Sequence, residues 1–141
     1  MSIPFILAPL FVQVGLTFAL LLWTGFARRG ALVRGETKLG AIALGDPNWP
    51  PRVRQIGNCF NNQFQVPVLF YVLTILVMYT KHADFLFVIM AWIFVITRLA
   101  HAYIHTGSNY IRYRFNAYLI GTIVLLIMWA IFAIRILLGL P

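Results

Sequence analysis

Acidic residues are scarce in this chain, since three aspartates and glutamates stand against eleven lysines and arginines, a formal net charge of +8. Cysteine is nearly absent: with Cys59 alone, an internal disulfide framework and a multi-cysteine metal site are both excluded. Charged residues make up only 10% of the 141 residues, whereas 62% are hydrophobic, and the mean hydropathy is +0.88. These values exclude a soluble globular domain and indicate an integral membrane protein.

Four apolar stretches are each close to the ~20 residues that a helix needs to cross a bilayer. They predict transmembrane helices at about residues 3–27, 52–80, 84–106 and 113–138, all in a single domain over residues 1–141. The first stretch is not expected to be a cleaved signal, because it lacks a basic start, is too long, and is followed by Arg28 and Arg29. The predicted fold is an all-α bundle of four transmembrane helices with a long loop at about residues 28–51.

The basic residues lie at the ends of the apolar helices. Because they form no soluble basic face, no nucleic-acid partner is predicted. An excess of lysine and arginine marks cytoplasmic loops, and the basic residues between the first two spans are Arg28, Arg29, Arg34, Lys38, Arg52 and Arg54. We therefore expect a multi-pass protein of the cell or inner membrane, with the long first loop in the cytoplasm and both termini outside.

A group of amide side chains lies at the foot of the second predicted helix, in the segment QIGNCFNNQFQVP. Asn58, Asn62 and Gln65 recur at i, i+4 and i+7, so they share one helix face. One interpretation is purely structural: such amides can form hydrogen bonds with neighbouring helices. Pro67 leaves the carbonyl of Gln63 without its helical partner, which predicts a kink at this level. A freed carbonyl beside several amides favours a polar pocket.

A second polar group lies in the segment RLAHAYIHTGSNYIRYRF. Arg98, His101 and His105 recur at i, i+3 and i+7 and share one face of the third helix. At ~1.5 Å per residue, Arg98 lies roughly 21 Å from the outer end of its helix, and Gln65 and Tyr118 are predicted at a similar depth, in the inner third of the membrane. An arginine within a span either extends to the headgroups or faces a partner, and by default it marks a functional site.

These basic residues need a negative partner. A metal site is not predicted at His101 and His105, because zinc needs three or four protein donors and no cysteine or glutamate is near. Acids of the chain can neutralise few of the inner arginines, since Asp84 lies on the outer side and Glu36 and Asp46 lie in the first loop. The expected anion is therefore external: phospholipid headgroups and a small anionic cytosolic cofactor are the two candidates.

The motifs of these helices resemble those of the MAPEG superfamily, the membrane-associated proteins in eicosanoid and glutathione metabolism, and its bacterial branch most of all. In the segment NQFQVPVLFY, Asn62, Gln65 and Pro67 occupy the places of the family's asparagine, glutamate and proline. In the third and fourth helices the matching residues are Arg98, His101, His105, Arg114 and Tyr118. The resemblance covers nearly the whole chain and implies a homotrimer of four-helix subunits.

The resemblance also implies a function, namely a membrane-bound glutathione-dependent transferase or peroxidase that acts on lipophilic electrophiles. By family position, Arg114 would be the catalytic residue that stabilises the thiolate. Glutathione would be bound between subunits, near the cytoplasmic face, by Asn62, Gln65, Arg98, His101, His105, Arg112 and Tyr118. The chemistry agrees, because arginines hold carboxylates bidentately and a nearby guanidinium favours a thiolate nucleophile.

Two positions depart from the family's pattern. Gln65 replaces a glutamate and cannot balance the ammonium group of glutathione, and His105 replaces a tyrosine. Weaker glutathione affinity, a different ligand and loss of catalysis are all compatible with these changes. Because a fold does not by itself define an activity, the alternative hypothesis is a non-catalytic lipid-binding or scaffold membrane protein of the same fold.

Overall fold

The computed structural model describes residues 1–43 and 48–141, and the described part contains helices and no strands. Asp46, predicted to lie in the first loop, falls outside the described residues. The elements are α1 (Ile3–Val33), a short 3-10 helix (Leu39–Ile42), α2 (Pro51–Asn62), α3 (Val66–Tyr79), α4 (Phe85–Thr106) and α5 (Ile111–Leu137). With α2 and α3 taken as one span, four helical segments are long and apolar enough to cross a membrane. The predicted four-span, all-α membrane fold is confirmed.

The first helix is longer than predicted: it ends at Val33, whereas the sequence predicts an end near residue 27. Hydropathy falls where the arginines begin, but arginine, alanine and leucine are good helix formers, so the helix continues. Its stop signal is Gly35, whose φ of +72° is a left-handed conformation that glycine adopts at little cost. The N–H groups of Gly35 and Glu36 donate to the carbonyls of Leu32 and Ala31, which closes the helix end.

The second span is two helices and not one. Between Asn62 and Val66 the chain makes a tight turn, in which the N–H groups of Gln63, Phe64 and Gln65 each donate to a carbonyl three residues earlier. Proline in the first turn of α3 has no N–H to continue the helical pattern. The predicted kink therefore occurs at the expected level, as a break between two helices.

The apolar core lies among α1, α3, α4 and α5. Phe70 and Leu73 of α3 and Phe94 of α4 are fully buried, and the two phenylalanine rings lie 4.8 Å apart between centroids. Large apolar side chains such as Phe18 and Leu126 are exposed on the outside of the bundle, as expected for surfaces that contact lipid. This core holds together the half of the bundle that contains the turn between α3 and α4, and it leaves the polar residues at the opposite end.

An ion pair links α4 and α5 at the end of the bundle where α4 begins and α5 ends. Asp84 precedes α4 and accepts a hydrogen bond from the backbone N–H of Phe87 at 2.9 Å, which caps the helix. Its other carboxylate oxygen lies 2.7 Å from Nη1 of Arg135, in the last turn of α5. The start of α4 is thereby fixed to the end of α5.

We expect the loss of this ion pair to make the protein less stable in acid. Burial raises the pKa of Asp84, but the hydrogen bond from Phe87 and the guanidinium of Arg135 outweigh it, so the folded pKa lies below its ordinary value. The stabilisation is complete above the unfolded pKa of about 4 and is lost as the pH falls through the lower folded pKa. Thermal unfolding in detergent at about pH 5 and about pH 3 should show a drop for wild type that is smaller for Asp84→Asn. An equal drop in both proteins would contradict this role.

Candidate functional site

Arg98 is a buried cation where α2, α4 and α5 meet, with only 1% of its surface exposed. It donates hydrogen bonds to Oδ1 of Asn62 and, at 3.4 Å, to Oε1 of Gln63. Its Cζ lies 6.0 Å from the ring centroid of Tyr118, within the range of a cation–π contact. Within the described residues no carboxylate pairs with it. The charge is thus surrounded by neutral oxygens and an aromatic ring.

One member of this network was missed from the sequence: Gln13, in the middle of α1. It is fully buried, and its Nε2 donates to Oε1 of Gln63 at 2.8 Å. Gln63 in turn donates to the backbone carbonyl of Cys59 at 3.0 Å, so it links α1 to Arg98. The available signal was the amide itself, because a polar side chain inside an apolar span usually faces a polar partner.

A polar cleft of about 460 Å³ opens beside the buried arginine. It lies between α2 and the turn after it on one side and α4 and α5 on the other. Its lining consists of Asn58, Asn61, Asn62, Gln65, His101, His105, Ile111, Arg114, Phe115 and Tyr118. Six of the eight predicted site residues therefore line one cleft. Arg98 lies behind Asn62, and Arg112 is exposed and is not part of the lining, so the role of Arg112 stays a prediction.

Two histidines form the α4 wall of the cleft. The ring centroids of His101 and His105 lie 5.4 Å apart, and that of His101 lies 5.8 Å from Tyr118. Nδ1 of each histidine is buried without a hydrogen-bond partner among the described residues. Such unsatisfied atoms are rare in native proteins, but these two nitrogens are shielded from the cleft and do not by themselves identify a ligand. Over the same part of the chain, no cluster of histidine, cysteine and acidic side chains is placed to hold a metal ion.

Arg114 reaches the cleft from the first turn of α5. Its Nη1 donates to Oδ1 of Asn109 at 2.6 Å. Asn109 lies in the turn between α4 and α5 with a φ of +54°, a left-handed conformation that asparagine tolerates better than most residues. The turn therefore fixes the guanidinium at the cleft. Asn109 was also missed from the sequence, where the only signal was a turn-forming GSN segment.

Hydrogen bonds between α2 and the C-terminal end of α4 connect two walls of the cleft. Nε2 of Gln55 donates to the carbonyls of His105 and Gly107 at 2.7 and 3.0 Å. Arg52 donates to the carbonyl of Thr106. Carbonyls at a helix C-terminus lack partners within the helix, so these bonds satisfy them and also set the spacing between two walls of the cleft.

The side chains of the cleft fit an anionic ligand of peptide size. Its lining includes an arginine, two histidines and a tyrosine but no acid. A guanidinium and imidazole N–H groups are suited to carboxylates. The amides can also accept: Asn62 Nδ2 donates to Oε1 of Gln65 at 3.1 Å, which leaves a further lone pair on that oxygen. The donors of the cleft therefore suit carboxylates strongly, whereas its few free acceptors suit an ammonium group only weakly.

Four helices long and apolar enough to cross a membrane define a multi-pass integral membrane protein, and a polar, cationic cleft lies between its helices. The model of the MAPEG family matches residues 6–134 of the chain. The chain therefore belongs to the MAPEG family, and the resemblance carried by Asn62, Gln65 and Pro67 is confirmed at that level. No curated protein and no solved structure matches it. Membership fits a glutathione-related function in the membrane in general terms.

Proposed function

We propose that this protein is a membrane-bound glutathione-dependent transferase or peroxidase that acts on lipophilic electrophiles. The observation that carries the proposal is the convergence of Arg114, His101 and Asn62 on one cleft whose lining contains no acid. Family membership supplies the class of cofactor. When bound, glutathione supplies a thiol nucleophile; the residues of the chain hold it and control its charge.

Arg114 is the proposed catalytic residue. A guanidinium beside a thiol favours the thiolate, and a group that is already fixed needs little reorganisation as charge develops. The bond from Arg114 to Asn109 supplies that fixation. The proposed binding residues in the lining are His101, His105, Asn62, Gln65 and Tyr118.

Two arginines outside the lining complete the proposed binding set. Arg98 acts from behind Asn62, through its charge and through the hydrogen bond that orients the amide. Arg112 is exposed near the start of α5, where it is available to a carboxylate at the rim of the cleft or to a neighbouring subunit.

The working unit proposed here is a homotrimer with the cleft at the cytoplasmic side. Support comes from family membership, from the open side of the cleft, and from the basic first loop, which predicts cytoplasmic placement. Mass photometry in detergent tests the trimer, and a monomer would contradict it.

Labelling of a Lys38→Cys variant by an impermeant maleimide tests orientation, since inverted vesicles should react and intact cells should not.

Calorimetric titration of glutathione into the purified protein tests the proposal directly. We expect binding at or below millimolar concentrations, because the cleft offers several donors to the carboxylates of glutathione. The diethyl ester of glutathione is the matched control, since it keeps the thiol and the ammonium but loses both negative charges. Absence of heat with millimolar glutathione, or equal binding of the ester, would contradict the proposal.

Gln65→Glu should strengthen glutathione binding about five- to tenfold. A carboxylate at this position can still accept the hydrogen bond from Asn62 and can also pair with the ammonium group of the cofactor. The control is a glutathione analogue that lacks the amino group, for which the variant should gain nothing. Weaker binding of glutathione by the variant, or an equal gain with the analogue, would show that the ammonium does not lie near residue 65.

A non-catalytic lipid-binding or scaffold protein is the second candidate, favoured by Gln65, which stands in the place of the family's glutamate. In that case the cleft would hold an anionic headgroup. Native mass spectrometry should then detect a lipid that glutathione does not displace and that Arg114→Gln releases. Displacement by glutathione would favour the enzyme.

A further inference from the structure

A separate apolar groove lies between α1 and α4, on another face of α4 from the polar cleft. It has a volume of about 260 Å³ and is lined by Leu16, Ala19, Leu20, Trp23, Leu99, Ala102, Tyr103 and Thr106. In both helices these residues recur at i, i+3, i+4 and i+7, so each set forms one continuous stripe. The groove therefore runs along the helix axes for about 10 Å.

Arg52 lies at one end of this groove. Its Cζ is 5.4 Å from the ring centroid of Trp23, and its Nη1 donates to the carbonyl of Thr106. Trp23 and Thr106 both line the groove. Arg52 is otherwise exposed, and among the described residues no carboxylate pairs with it. Two contacts thus hold a guanidinium in place while its remaining donors stay available.

The groove is polar at one end and apolar at the other, as is one leaflet of a bilayer. Trp23 and Tyr103, at the same end as Arg52, are 42% and 81% exposed, and exposed aromatic residues of this kind lie at headgroup level. At the other end, Leu16 and Leu99 lie about 10 Å deeper along the two helices. A ligand in this groove would meet a cation at the headgroup level and only apolar side chains beneath it.

We infer that the α1/α4 groove and Arg52 form a binding site for an anionic phospholipid, with the phosphate at Arg52 and an acyl chain along the groove. Charge complementarity selects the occupant, because a neutral hydrocarbon would leave the guanidinium without a counter-charge. The first loop is predicted to be cytoplasmic, which puts Arg52 at the leaflet that carries most anionic lipid. The site is independent of the proposed enzyme function, since groove and cleft share no lining residue.

Native mass spectrometry of the delipidated protein in detergent tests the charge requirement. We expect wild type to bind phosphatidylglycerol about fivefold or more tightly than phosphatidylcholine with the same chains, and Arg52→Gln to lose that preference. Arg54→Gln is the matched control, because it removes the same charge from an exposed position two residues along α2. No preference in wild type, or an equal loss in Arg54→Gln, would overturn the inference.

The groove itself is tested by filling it. Ala19 is exposed and lines the groove, so Ala19→Trp should occupy the space without disturbing the core and should weaken phosphatidylglycerol binding at least about fivefold. Ala130→Trp, at an exposed alanine of α5 outside the groove lining, should leave lipid binding unchanged. Glycerol 3-phosphate should not compete, because it lacks acyl chains. Equal effects of the two tryptophans, or full competition by glycerol 3-phosphate, would overturn the site.

Glutathione titrations of the same variants separate this inference from the proposed function. Ala19→Trp should bind glutathione as wild type does, because residue 19 lies outside the cleft lining and makes none of the contacts that join its walls. Weaker phosphatidylglycerol binding with glutathione binding retained in this variant would confirm two distinct sites. Unchanged phosphatidylglycerol binding by Ala19→Trp would overturn the groove site whatever glutathione does.

Discussion

Arg114→Gln should lower the turnover of a chlorinated aromatic electrophile at saturating glutathione by roughly 100-fold or more. The physical reason is that a fixed donor aimed at developing negative charge typically contributes about 100- to 1,000-fold to a rate. Glutamine keeps most of the length and polarity of the side chain but removes the charge that favours the thiolate. Steady-state kinetics with saturating glutathione measure the effect, and absorbance of the thiolate gives a second readout.

Two further variants show whether the position of the Arg114 guanidinium matters as well as its charge. Asn109→Gly removes the acceptor at 2.6 Å but keeps the left-handed backbone, so it should cost about tenfold in turnover without unfolding the turn. Arg29→Gln removes an exposed charge of α1 outside the cleft lining and should behave as wild type. If Arg114→Gln turns over the substrate normally, the chemistry lies elsewhere; if Arg29→Gln is equally impaired, net charge is responsible.

The parts of the fold that depend on local patterns could be predicted from the sequence. Hydropathy predicts the four spans because a helix that crosses a bilayer must be long and apolar. The 3.6-residue period put Arg98, His101 and His105 on one face, and all three are buried together. The break near Pro67 follows from the missing N–H of proline. Each of these inferences uses residues within one continuous segment of the chain.

Long-range pairings could not be predicted in this way. Gln13 and Gln63 are 50 residues apart, and nothing local to either one identifies the other as its partner. The contact from Arg114 to Asn109 depends on the geometry of a turn with a positive φ, which a GSN segment allows but does not require. The exposure of Arg112 depends on the rotation of α5 about its axis. Spacing along the chain leaves that rotation undetermined where a helix is apolar on all sides.

Arg98→Leu is expected to lower glutathione affinity about tenfold or more while changing the free energy of unfolding by less than about 2 kcal/mol. Leucine removes a charge whose insertion into a membrane costs about 2.5–3.5 kcal/mol. It also leaves Oδ1 of Asn62 without its donor, at a cost of about 1–3 kcal/mol. These terms oppose each other, and Oε1 of Gln63 still accepts a hydrogen bond from Gln13. The stability of the fold therefore does not explain why the arginine is there.

The effect on affinity should come from the charge and from the orientation of Asn62, because Arg98 itself does not line the cleft. Arg98→Lys keeps the charge but loses the fork that reaches two acceptors, so its affinity should lie between those of wild type and Arg98→Leu. Thermal unfolding and glutathione titration on the same three preparations separate the two roles. A large loss of stability with unchanged affinity would make Arg98 an anchor of the bundle. The opposite result would identify it as the buried charge that draws the carboxylates of glutathione into the cleft.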